Sequence, residues 1–81
     1  MRKITEAMKE AFQNRLIEEE KASATVQKYL RDLGELQMWL GERELCRSSV
    51  LAYKAHLCKR YAPASVNAAL SAINSFFHFT D

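Results

Sequence analysis

The sequence predicts an all-α domain of four helices. Its 81 residues include only two glycines and one proline, and apolar residues recur every three or four positions along most of the chain. No stretch alternates polar and β-branched residues as a half-buried strand does. Because 48% of the residues are hydrophobic, a chain of this length can bury one modest core. We therefore expect residues 1–81 to form a single compact domain.

The first predicted helix begins after Thr5 and runs to about Lys21. Thr5 is a good N-cap, because its hydroxyl can accept a hydrogen bond from a free amide, and Glu6 lies near the positive end of the helix. The apolar positions of this helix form one stripe that should face the core. They are Met8, Ala11, Phe12 and Leu16.

The second predicted helix begins near Ser23 or Thr25 and ends at Gly41. Gly34 inside it costs about 1 kcal/mol relative to alanine, so packing must hold this helix, and a close helix crossing at Gly34 would be possible. Its apolar positions have the helical period and lie beside Trp39. They are Val26, Tyr29, Leu30, Leu33, Leu36 and Leu40.

Two more helices are predicted in the second half of the chain. Ser48 or Ser49 can cap the third, and Pro63 suits the first position of the fourth, where its fixed φ is helical and its missing N–H costs nothing. The apolar positions of the third helix are Val50, Tyr53, Leu57 and Tyr61. Those of the fourth are Val66, Leu70, Ile73 and Phe77.

The net charge of +2 is unevenly distributed along the sequence. Residues 1–44 hold eight basic and nine acidic side chains, whereas residues 45–80 hold four basic side chains and no acidic one. The four are Arg47, Lys54, Lys59 and Arg60. A basic surface without acids is typical of a domain that approaches phosphates. The alternative is an ordinary solvated face.

On the side opposite its apolar stripe, the fourth helix carries only small or uncharged polar residues. They are Ala64, Asn67, Ala68, Ser71, Asn74, Ser75 and His78. A solvated helix face usually carries charged residues, so this face favours close approach by a DNA groove or by a protein helix. Asparagine can bond adenine edges, and serine can bond bases or phosphates. The pattern does not decide between DNA, a protein and simple exposure.

Four residues near the start of the second helix could anchor a phosphate, because free N–H groups and the helix dipole favour an anion there. They are Thr25, Gln27, Lys28 and Arg31. Alternatively, Thr25 is only an N-cap, and Lys28 pairs with Asp32 one turn further along.

The sequence offers no sign of catalysis, metal binding or membrane insertion. Cys46 and Cys58 lack the spacing of a zinc site, and we expect both to be reduced and half-buried, with no metal and no cofactor. No cluster of reactive side chains suggests an enzyme. No apolar run approaches the roughly 20 residues that span a bilayer, and the first residues do not resemble a secretion signal. We expect a cytoplasmic protein that contacts no membrane.

Two segments of the chain together have a more specific pattern. Residues 23–40 read S-x-T-V-x-x-Y-L-x-D-L-x-x-L-x-x-W-L. Residues 64–79 read A-S-V-N-x-x-L-S-A-I-x-S-F-F-x-F and follow V-x-x-Y-x-x-x-L at residues 50–57. In order and spacing, these segments resemble the N-terminal core-binding domain of tyrosine recombinases, the phage integrases.

The resemblance implies a SAM-like four-helix fold whose second and fourth helices lie in the major groove of a recombination site. It implies a DNA-binding domain without catalytic residues, and a separate catalytic domain beyond Asp81 that completes a clamp around the DNA. The implied partners are double-stranded DNA, the catalytic domain of the same parent chain and other recombinase protomers. The nucleophilic tyrosine then belongs to the catalytic domain. Tyr29, Tyr53 and Tyr61 sit at apolar helical positions, and we expect them in the core.

The resemblance also nominates DNA-facing positions. They are Thr25, Gln27 and Lys28 on the second helix and Ser65, Asn67, Ala68 and Ser71 on the fourth, and helical spacing adds Arg31. The chain departs from the family at Ala68, Ala69 and Asn74, where basic residues are frequent, which predicts weaker binding or more shape-based reading. The alternative function is a helical protein-interaction or oligomerisation module. It would use the small face of the fourth helix, or Phe76, Phe77 and Phe79.

Overall fold

The computed structural model describes residues 3–80, and within them the chain forms four α-helices and no strand. The helices are α1 (Glu6–Glu18), α2 (Ser23–Leu40), α3 (Arg47–Cys58) and α4 (Pro63–Thr80). The two longest helices, α2 and α4, pack against each other, and α1 and α3 pack against both of them. The prediction of an all-α fold with four helices is confirmed.

The start of α1 is as predicted, and its end is earlier. The Thr5 hydroxyl accepts a hydrogen bond from the Met8 N–H at 3.1 Å. The helix ends at Glu18 rather than at Lys21, because Glu20 has a φ of 60° in the left-handed region and turns the chain. The Lys21 N–H then donates to the Leu16 carbonyl at 3.1 Å.

The ends of α2 also follow from local chemistry. The helix begins at Ser23 with Ala22 as its N-cap, so Thr25 lies in the first turn and its prediction as a cap is wrong. Gly41 ends the helix as predicted. Its φ of 58° is strained for any residue with a side chain.

The cap of α3 differs from the prediction of Ser48 or Ser49. Cys46 is the N-cap and Arg47 is the first helical residue. The Ser49 hydroxyl accepts a hydrogen bond from the Cys46 N–H at 2.9 Å, which satisfies a donor that the helix leaves free. Ser49 thus closes the turn from inside the helix, in the role that Glu or Gln has in a capping box.

The core lies between the four helices and also includes residues of the connecting segments. Its buried members are Ile4, Phe12, Leu16, Val26, Leu33, Leu36, Leu40, Leu45, Tyr53, Leu57, Val66, Ile73 and Phe76. Phe76 of α4 is fully buried. Its ring and the ring of Phe12 of α1 pack edge to face, with their centroids 5.3 Å apart. This aromatic contact joins the first helix to the last.

Several expected core positions prove wrong. Ala11 is exposed because α1 buries only a narrow stripe around Phe12 and Leu16. On α4, Phe76 is buried and Phe77 only half-buried. Tyr61 is 49% exposed, because α3 ends before it and the helical period no longer applies.

The other two tyrosines agree better with the prediction of a core position. Tyr53 is buried, and Tyr29 is half-buried against the core. Tyr29 stacks on Phe12 with a centroid distance of 6.5 Å, and Tyr53 contacts Trp39 at 5.1 Å. Both rings therefore contribute to packing between helices.

Gly34 does not mark a close helix crossing. A Cβ atom at this position would meet no heavy atom within 4 Å outside the local helix backbone. We therefore expect Gly34→Ala to raise the free energy of unfolding by about 1 kcal/mol, because alanine loses less backbone entropy in a helix. Gly41→Ala should lower it, because φ is positive there. Thermal unfolding of the two variants measures both effects, and a destabilised Gly34→Ala would contradict this account.

Candidate nucleic-acid interface

An uncharged polar stripe runs along the exposed side of α4. Asn67, Ser71, Asn74 and His78 follow one another at intervals of four, three and four residues, which places them on one face of the helix. All four are exposed. We call these four residues the α4 stripe. It presents amide, hydroxyl and imidazole groups to the solvent, and none of its side chains is long and flexible.

Three of the predicted site residues line one groove between α2, α3 and α4. They are Lys28, Ser65 and Ala68, and Asp32 and Glu35 of α2 line the same groove. Ala64, Ala69, Tyr53, Leu57 and Tyr61 complete its walls. The fold thus brings the basic residue of α2 next to the N-terminal turns of α4.

Lys28 in this groove is already paired. Its ammonium donates to the Asp32 carboxylate at 2.9 Å, which is the pairing that the sequence offered as the alternative to a phosphate contact. Asp32 is buried, and Lys28 is half-buried. With Glu35 in the same groove, two carboxylates stand beside one ammonium. The groove is therefore not electrostatically favourable for a phosphate.

The same carboxylates act on Tyr53, which lines the groove from α3. Burial raises the pKa of the Tyr53 phenol, and the negative charges of Glu35 and Asp32 raise it further. The phenol therefore stays protonated at neutral pH, and its hydroxyl remains able to donate a hydrogen bond.

The remaining nominated residues of α2 do not line this groove. Gln27 lines a separate depression with Ile17 and Lys21. Thr25 is half-buried, whereas Arg31 is exposed and forms no ion pair within residues 3–80. Arg31 lies one turn after both Gln27 and Lys28, so helical spacing keeps these three side chains close together, although Gln27 and Lys28 line different depressions.

A second depression lies on the other side of α4 and includes a residue that the sequence did not nominate. Arg47 and Leu51 of α3 line it together with Asn74, Phe77 and His78 of α4. No carboxylate lines this depression. The signal for Arg47 was already present in the acid-free stretch of residues 45–80, but only the fold places it beside the α4 stripe.

The phenylalanines proposed for a protein interface are largely engaged inside the fold. Phe76 is fully buried, so its prediction as an interface residue is wrong. Phe79 is half-buried and packs on Phe12 with a centroid distance of 5.4 Å. Phe77 is half-buried in the depression beside Arg47. An interface through the small face of α4 stays open.

The two cysteines form no disulfide. Cys46 is half-buried as expected, but Cys58 is exposed because it lies on the outer side of α3. Residues 3–80 contain no group of three or more histidine, cysteine or acidic side chains that could hold a metal ion.

Cys46 is an unusually acidic thiol. Hydrogen bonds from the Ser48 hydroxyl, and then from Ser49, lower the pKa of Cys46 from 9.0 to about 7. The distance from its Sγ to the Ser48 Oγ is 3.2 Å. We expect alkylation of a Cys58→Ser protein by iodoacetamide to reach half its maximal rate near pH 7, because the thiolate reacts. Adding Ser48→Ala should move this midpoint to higher pH, and a midpoint near 9 without Ser48→Ala would contradict the assignment.

The fold and the α4 stripe define a small SAM-like helical domain. Comparison with family models agrees: residues 10–80 match the family described as phage integrase, N-terminal SAM-like domain, and the chain belongs to this family. The match includes α2, α3 and α4 completely and most of α1. It confirms the resemblance that the two sequence segments indicated and places the chain in a family of DNA integration and recombination.

No curated protein and no solved structure matches the chain. Within residues 3–80, none of the helices has both the length and the apolar character that crossing a bilayer requires.

Proposed function

We propose that this chain is the core-binding domain of a tyrosine-type site-specific recombinase and that it binds duplex DNA through α4 and the adjoining part of α2. In this role it has no catalytic residue of its own and positions a catalytic domain of the same parent chain on the recombination site. Other recombinase protomers on the DNA are further partners, and the site of action is the cytoplasm. Family membership supports the class of protein.

The observation that carries the proposal is the α4 stripe. An α-helix fits the major groove of B-DNA, which is about 12 Å wide. Asn67 can form two hydrogen bonds with an adenine, and Ser71 can bond a base or a phosphate. Ala68, next to them, is half-buried and small enough to allow a thymine methyl group to approach. The stripe therefore has the chemistry of direct base reading.

The residues of α2 contribute less to this interface than the sequence suggested. Lys28 forms an ion pair with Asp32. The negative charge of Asp32 offsets part of the attraction between Lys28 and a phosphate. Arg31 is exposed and forms no ion pair within residues 3–80, and Gln27 and Thr25 are nominated by the resemblance and by their place near the start of α2. Since affinity for DNA comes largely from phosphate contacts, we expect the isolated domain to bind weakly and with a marked dependence on salt.

Fluorescence anisotropy with a labelled duplex of random sequence tests this function. At about 50 mM salt we expect saturable binding, with the logarithm of the association constant falling linearly as the logarithm of the salt concentration rises. Sedimentation of the protein alone tests the alternative of a protein-interaction module. Self-association without DNA, together with no binding to duplex at low salt, would favour that alternative and refute DNA binding.

A further inference from the structure

We propose that α3 supplies a phosphate-binding flank for DNA that lies on the α4 stripe, and that Arg47 and Lys54 form this flank. The inference rests on the proposed function, since it concerns the same bound duplex. It goes beyond that function because the predicted interface involves only α2 and α4. The sequence pointed to Arg47 and Lys54 only as members of an acid-free basic stretch and assigned them no place beside α4.

The geometry places Arg47 beside the α4 stripe. Arg47 lines the same depression as Asn74 and His78, which are the two stripe residues nearest the C-terminal end of α4. Leu51, which is 60% exposed, lies in this depression one turn after Arg47. Lys54 follows three residues later, at a spacing that keeps it on the same face of α3. This exposed face of α3 therefore carries one cation a turn before Leu51 and another a turn after it.

Both cations of this face are unpaired within residues 3–80, as Arg31 of α2 is, whereas four cations of the first half are held by acidic side chains. Lys3, Lys9, Arg15 and Lys28 each form an ion pair with an acidic side chain, at distances of 2.9–3.2 Å. Arg47 and Lys54, like Lys59 and Arg60, are exposed and form no ion pair within the part of the chain that the structure describes. An unpaired exposed cation can bind a phosphate without first losing a partner.

The two sides of α4 are electrostatically different. A helix of about 10–12 Å diameter nearly fills the major groove, so that a phosphate backbone lies along each of its sides. On the α2 side, Lys28 is paired with Asp32, and Glu35 lines the same groove. On the α3 side, Arg47 lines the depression with no carboxylate. A phosphate backbone on the α3 side would therefore meet an unpaired cation with no carboxylate in the same depression.

The salt dependence of binding tests this assignment. In the double variant Arg47→Ala, Lys54→Ala, the plot of log association constant against log salt concentration should become shallower by about two, because each lost phosphate contact removes about 0.9 from its slope. Affinity near 0.1 M salt should fall at least about tenfold. The charge-preserving variant Arg47→Lys, Lys54→Arg should keep the wild-type slope, and circular dichroism verifies that each variant is folded.

The matched control is Lys3→Ala, Lys9→Ala, which removes the same formal charge from two ion-paired residues of the first half. Its slope should stay within about 0.5 of the wild-type value, since neither side chain lies at the proposed interface. If the wild-type domain binds DNA, either of two results would overturn the inference. One is a wild-type slope in the Arg47→Ala, Lys54→Ala variant, and the other is an equal loss of slope in both double variants. A wild-type domain that binds no duplex would overturn the proposed function as well.

Discussion

Replacing Phe76 by alanine is expected to cause a large loss of stability, about 3–5 kcal/mol in the free energy of unfolding. Phe76 is fully buried at the contact between α4 and α1, and its ring packs on Phe12. Truncation of a buried phenylalanine costs about 3–5 kcal/mol. A domain of this size has a total stability of about 4–12 kcal/mol, so the loss is a large fraction of the whole. Thermal and urea unfolding followed by circular dichroism measure it.

Met38→Ala provides the control for this prediction. Met38 is 84% exposed on α2, so its truncation should change the free energy of unfolding by less than about 0.5 kcal/mol. A Phe76→Ala protein that melts within a few degrees of the wild type would contradict the assignment of Phe76 to the core. It would also reopen the possibility that this ring serves a protein interface.

Ser71→Glu is expected to weaken DNA binding at least tenfold, which corresponds to about 1.4 kcal/mol. Ser71 lies in the middle of the α4 stripe and is exposed. A carboxylate there would face the groove and the phosphates that line it, and like charges at short distance repel. The fold should be unaffected, because glutamate is a better helix former than serine. Anisotropy titrations at constant salt measure the affinity.

The change in net charge alone must be separated from the position of the charge. Asn14→Glu makes the same change, from neutral to acidic, at an exposed residue of α1. It should weaken binding less than about twofold at 0.1 M salt, because charges more than one Debye length from the DNA are largely screened. Similar losses of DNA affinity in Ser71→Glu and Asn14→Glu would mean that α4 does not contact the DNA.

The helices themselves were predictable because their signals are local. Thr5 caps α1, Gly41 ends α2 and Pro63 begins α4 as the sequence predicts. The predictions that proved wrong concern residues whose burial or contacts depend on tertiary structure. Tyr61 has the apolar spacing of α3 but lies beyond its end. Gly34 suggested a close helix crossing that the packing does not contain.

The candidate site was predictable to a smaller extent. The α4 stripe follows from helical periodicity, and the structure exposes it as expected. From spacing along α2, Lys28 could bind a phosphate or pair with Asp32. The fold shows that Lys28 pairs with Asp32 within the protein. Arg47 could not be placed, because its proximity to Asn74 depends on how α3 packs beside α4. The local sequence therefore indicates which side chains a helix exposes, and packing determines which of them lie close together.

The most direct test of the central claim is an NMR titration of labelled protein with duplex DNA at low salt, which follows the backbone amide shifts. We expect shifts to concentrate on α4 from Ser65 to His78, with smaller ones at Arg47 and Lys28, and to decrease as salt is raised. The absence of shifts at low salt would contradict DNA binding. Shifts that appear only as the protein concentration rises would instead show that the α4 stripe contacts another protein molecule.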